Sequence, residues 1–130
     1  MILLSDVREL LKQEVSCPQW HLNKMTTQKE QSITLYNLPQ GQVRVPIGGI
    51  DYSSYNEKKL SILIHWGKVS DDAERKAQEV VDTLIGWNNK FLGNQKVIMC
   101  HVTGPIYVGL DDEGIIEYVV EATIYYQSKE

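Results

Sequence analysis

The stretch "KKLSILIHW", residues 58–66, constrains the chain more than any other. Leu60, Ile62, Ile64 and Trp66 alternate with Ser61, Leu63 and His65, the period-2 pattern of a strand with one face in a core. A helix follows at once in "SDDAERKAQEVVDTLIGWNN". Ser70 is its expected N-cap, and the first-turn acids suit the positive end of the helix dipole. Ala73, Ala77, Val80, Val81, Leu84 and Ile85 share its apolar stripe. Gly86 or Gly93, with Asn88-Asn89, supplies the stop. A half-buried strand running straight into an amphipathic helix requires a sheet with a helix laid on it.

The flanking segments extend this picture. Leu3, Leu4, Val7, Leu10, Leu11 and Val15 mark a helix over about residues 3–15, with Ser5 or Asp6 as N-cap and Pro18 ending it. "QWHLNKM" and "SITLYNL" read as short strands joined by a polar turn, "TTQKEQ". The last third, "KVIMCHV", "IYVGL" and "IIEYVVEATIYYQ", is rich in β-branched and aromatic residues. Thr103-Gly104-Pro105 would join the first two segments, and Asp111-Asp112-Glu113-Gly114 would form a hairpin turn before the third. The expected fold is α+β: two helices packed on a mainly antiparallel sheet, a mixed one remaining open, in the order α-β-β-loop-β-α-β-β-β. Residues 1–130 should form a single domain.

Between Pro39 and Asn56 periodicity disappears. Pro39, Gly41, Pro46, Gly48 and Gly49 punctuate a long loop. Consecutive glycines can present N–H groups to a phosphate, but no strand leads into Gly48-Gly49, no helix follows, and the GxxxxGK[ST] and GxGxxG spacings are absent. Val43, Val45, Ile47 and Ile50 are too many apolar groups for a freely solvated tip, so another surface should cover them.

Composition narrows the function. Hydrophobic residues make up 42% and charged residues 23%, ordinary for a globular domain. The formal net charge is -4, from 13 basic and 17 acidic residues, with the basic ones scattered, which argues against a groove gripping nucleic acid. Tyr52, Tyr55, Trp66, Trp87, Tyr107, Tyr118, Tyr125 and Tyr126 could stack on bases, yet no Lys and Arg are interleaved with them, and core and subunit contacts account for them better. Cys17 and Cys100 lack CxxC spacing and suit a reduced compartment. The N-terminal segment is unlike a signal peptide, and no apolar run is long enough to cross a membrane.

Catalysis and metal binding find little footing. Cys17 and His21 with Cys100 and His101 could make a tetrahedral zinc set, but Cys100 and His101 are consecutive in a strand and point to opposite faces. No nucleophile elbow surrounds either cysteine, so a Cys-His hydrolase is unsupported. The acids of "DDEG" lack the ligand spacing of an EF-hand loop and read as a solvated turn. A nuclease-like enzyme would require paired carboxylates near a Lys, and no such motif is present. A small metal- or ligand-binding domain using His21, His65, His101 and the cysteines is the alternative reading.

The segment "VPIGGIDYSSYNEKKLSILIHWGKVSDDAERKAQEVVDTL" resembles the minor capsid proteins of tailed phages and prophages, a group similar to tail terminator and tail completion proteins. The opening "LLSDVRELL", the strand "TLYNLP" and the closing "GLDDEGIIEYVVEATIYY" extend the resemblance over most of the chain. It implies a non-enzymatic virion subunit at the head–tail joint, without cofactors or catalytic residues, present in the bacterial host cytoplasm during assembly or as a prophage product. Such proteins commonly form a ring, often hexameric, that caps the tail tube. The implied partners are further copies of the chain, the tail tube protein and a head-completion or connector protein. Neither sequence-specific nucleic-acid binding nor a membrane is implied.

A ring requires a heterologous contact, one patch meeting a different patch on the neighbour. Val43, Arg44, Val45, Ile47, Gly48, Gly49, Ile50, Asp51, Tyr52 and Tyr55 are the candidate subunit interface, and exposed strand edges are suited to the same role. Acids facing a lumen would lower the friction of passing DNA, with Asp111, Asp112, Glu113, Asp71 and Asp72 as the candidates. Ile62 and Val120 are expected in the core.

Overall fold

The computed structural model of the chain describes residues 1–24, 30–39 and 56–128. Two helices, α1 (Leu4–Glu14) and α2 (Ser70–Ile85), accompany six strands: β1 (Trp20–Leu22), β2 (Gln31–Asn37), β3 (Asn56–Trp66), β4 (Phe91–Leu92), β5 (Gln95–Leu110) and β6 (Ile116–Ser128). The strands form one sheet in the order β1-β2-β3-β6-β5-β4. β1 runs parallel to β2 and every other pairing is antiparallel, so the sheet is mixed.

The core follows from alternation. Leu60, Ile62 and Ile64 of β3 pair with Ala122, Val120 and Tyr118 of β6 on one side, and with Asn37, Leu35 and Ile33 of β2 on the other. Both helices lie on the face these apolar side chains share. Leu4, Val7, Leu11 and Val15 are buried there with Ala73, Ala77, Val80, Val81 and Leu84. The helical stripes are narrower than the sequence suggests, since Leu3 and Ile85 are exposed. Trp87 is wholly buried just beyond α2, and its Nε1 donates to Glu14 Oε1 at 2.7 Å. Lys90 Nζ reaches the other oxygen of the same carboxylate at 3.0 Å, tying the end of α1 to the turn after α2.

The expected helix starts shift by a residue or more. Leu3 is the N-cap of α1, and Asp6 sits one turn in, where its Oδ2 accepts the Leu3 N–H at 2.9 Å. Val69 occupies the N-cap of α2, so Ser70 is the first helical residue. Gly86 supplies the C-cap. Gly93 instead lies between β4 and β5, at φ +61, in a short hairpin that the sequence did not reveal.

Three strand expectations also change. β1 is only three residues long and runs parallel to β2, which a tight turn cannot produce. Asn23 ends β1 in the left-handed region at φ +59, its N–H bound to Leu35 O and its Oδ1 accepting the Asn37 N–H. Most of the expected turn between β1 and β2 lies outside the described residues. Finally, "KVIMCHV" and "IYVGL" form one strand: Thr103-Gly104-Pro105 makes a bulge in β5 rather than a joint, with a cis Gly104–Pro105 bond. Gly104 sits at φ +128, where a Cβ would stand 3.0 Å from Val119 O, so glycine answers both the angle and the close approach. Proline lacks a donor, and a bulge is one of the few places a strand tolerates it.

Candidate assembly surface

All of the residues proposed from the sequence as a subunit interface, Val43 to Tyr55, lie outside the described residues. A different surface emerges from the sheet. β4 pairs with β5 only at Phe91↔Lys96 and Leu92↔Gln95. Beyond Val97, no strand among the described residues pairs with the outer side of β5. Among the described residues, nothing pairs with its outer backbone groups there, which suits them to pairing with another strand.

The side chains along this edge are apolar and exposed. Ile98, Met99, Ile106, Tyr107, Val108 and Leu110 are all accessible, with Tyr107 59% and Leu110 62% exposed. No Asp, Glu, Lys or Arg stands between Lys96 and Asp111. Three register shifts, at 97/99, 103/106 and 107/109, alter the strict alternation. They let apolar groups point to both faces of the ribbon and to its rim. Tyr107 meets Tyr118 edge-on across the pair, at 5.5 Å between ring centroids, which stiffens this end.

The turn that closes the hairpin is built around one carboxylate. Asp111 Oδ1 accepts the N–H groups of Glu113 and Ile115, both at 2.9 Å, while its backbone N–H donates to Ile115 O. Gly114 takes φ +81 to complete the turn, confirming the hairpin expected from "DDEG". The second oxygen, Oδ2, lies 2.7 Å from His65 Nε2 at the end of β3. The His65 hydrogen bond, reinforced by the backbone donors, holds the Asp111 carboxyl below the usual carboxylate range. Asp112 and Glu113 remain exposed at the tip.

His65 belongs to the sheet face turned away from the helices, yet it is only 5% exposed. Its cross-strand partners are Ser32 and Glu117. Burial pushes the Glu117 carboxyl up, and the nearby Asp111 charge adds to this. Ser32 Oγ, Thr34 Oγ1 and His65 Nδ1 are buried without a hydrogen-bond partner among the described residues. Alternation alone gave no sign that this polar row would be buried.

The residues weighed for metal or thiol chemistry are dispersed. Cys100 is buried on the core side, and burial pushes its thiol up to about 12, which leaves it protonated and inert. Cys17 donates its thiol to Gln19 O at 3.0 Å. His101 is exposed on β5, whereas His21 lies in β1 at the opposite side of the sheet. Among the described residues, no group of three or more His, Cys, Asp or Glu side chains is placed to hold a metal ion. None of the described helices is long and apolar enough to cross a membrane.

One further feature lies at the β1 side. Arg8 and Lys12 of α1, one helical turn apart, border a cleft of about 370 Å³ with Cys17, Pro18 and Trp20. Arg8 also pairs with the neighbouring Glu9 at 3.0 Å on an exposed surface, a contact of little strength.

No curated protein matches the chain. A family model described as bacteriophage tail terminator protein matches residues 18–128, which include every strand of the sheet and α2. This chain therefore belongs to the bacteriophage tail terminator protein family.

Proposed function

We propose that this chain is the subunit of a ring at the head–tail joint, capping the tail tube and connecting it to the head. Family membership makes it a structural component of the phage particle with a tail-joining role. The observation that carries the finer reading is the edge of β5, unpaired beyond Val97 among the described residues, an uncharged apolar strip of a kind that self-associating subunits cover. The ring is built from copies of this chain and has the tail tube protein on one side and a head-completion or connector protein on the other. It works as a mechanical joint without catalysis. Val43 to Tyr55 contribute a second contact, because their apolar residues need cover. Among the acids offered for a lumen wall, Asp111 is engaged within its own turn, whereas Asp71 and Asp72 stand exposed at the start of α2.

Electron microscopy of tail tube protein polymerised with and without the chain tests this function. Tubes carrying a ring-shaped cap at one end, and ceasing to grow there, are the expected result. Tubes of unchanged length and bare ends would overturn it.

A further inference from the structure

A basic cleft and an exposed acidic turn lie on different sides of the sheet, as a heterologous contact requires, although Arg8 of the cleft also pairs with Glu9 at 3.0 Å. The cleft bordered by Arg8, Lys12 and Trp20 flanks β1, while the exposed acids Asp112 and Glu113 cap the β5–β6 hairpin. Both sit toward the same end of the strands, since Trp20 pairs with Ile33 near the start of β2 and His65, beside the turn, pairs with Ser32. β2, β3 and β6 lie between β1 and β5, a separation of roughly 19 Å at ordinary strand spacing. The turn therefore cannot fill the cleft of its own chain.

The geometry points to the hairpin tip of one copy entering the Arg8/Lys12 cleft of the next. Asp112 and Glu113 meet the two cations, and exposed Leu110 lies against the ring of Trp20 at the mouth of the cleft. The occupant is a second copy of this chain because the charges are complementary on one molecule and belong to different patches. A contact of this kind repeats head to tail and closes when the rotation per subunit divides the circle. The His65–Asp111 hydrogen bond fixes the tip relative to β3 before any partner arrives, reducing the ordering cost of association. This inference rests on the ring reading and names the contact that would close the ring.

The test uses the full chain in three forms: Arg8→Glu with Lys12→Glu, Asp112→Lys with Glu113→Lys, and all four substitutions together. Oligomeric mass is followed by light scattering against concentration, and circular dichroism verifies folding. Each double variant should weaken association by at least about tenfold, because like charges then face each other, and the fourfold variant should recover it. If the wild-type chain assembles and the double variants assemble equally well, or the fourfold variant shows no recovery, the contact is overturned while the ring stands. A wild-type chain that never associates, even with tail tube protein, overturns both.

Discussion

His65 Nε2 lies 2.7 Å from Asp111 Oδ2, joining the end of core strand β3 to the turn of a hairpin 46 residues later in the chain. This contact sets where the apolar end of β5 is presented. It also carries a pH signature. The Asp111 carboxyl is held below its ordinary value in the folded state, so its interactions stabilise the fold above the unfolded carboxylate range and are lost as the pH falls through the depressed folded value. Urea midpoints of wild type and Asp111→Asn should thus differ near pH 5 and converge as the pH falls below about 4. A gap that persists unchanged in acid would show that the charge on Asp111 contributes nothing.

Trp87→Ala should cost about 3–5 kcal/mol, through the cavity left by a wholly buried ring. Loss of the Nε1 donor to Glu14 adds to the damage. Trp87→Phe keeps most of the volume and should cost only about 1–2 kcal/mol. Equilibrium denaturation measures both. Equal costs for the two variants would mean that the indole N–H outweighs the packing.

Ile62→Asp or Val120→Asp should abolish the folded subunit, because either places an unpaired carboxylate among fully buried apolar side chains. Circular dichroism decides the matter. By contrast, Ile47→Asp with Ile50→Asp should spare the fold and impair assembly, as the proposed contact role of that segment requires. Loss of the folded state in that variant would assign the segment to the core.

Val108→Lys tests the β5 rim alone. The side chain is exposed, so stability should change by no more than about 0.5 kcal/mol. Assembly should weaken, since a lysine on an open edge opposes pairing with another strand. Unaltered assembly would remove this rim from the subunit contact.

Much of this architecture is legible in the chain because period-2 and period-3.6 patterns report one-sided burial directly. Leu60, Ile62 and Ile64 declare β3, and Ala73, Ala77, Val80, Val81 and Leu84 declare α2. The errors fall where local chemistry admits two structures. Gly104-Pro105 is the vocabulary of a turn and equally of a bulge in an edge strand; only the pairing with β6 distinguishes them. Asn23 ends β1 in the left-handed region, and a three-residue strand is too short for the parallel sense of its pairing with β2 to leave a pattern in the sequence. The exposed strip on β5 resembles core strand in composition, and its exposure comes from its place in the sheet order. "DDEG" identified its turn, but the role of His65 in anchoring it depends on contact between distant residues, which spacing does not encode.

The central claim is that copies of this chain close into a ring that engages the tail tube. Native mass spectrometry of the purified chain, alone and with tail tube protein, measures it most directly. One closed assembly of fixed subunit number, formed alone or on the partner, is the predicted result. A monomer under both conditions, or an open series of ever larger oligomers, would contradict it.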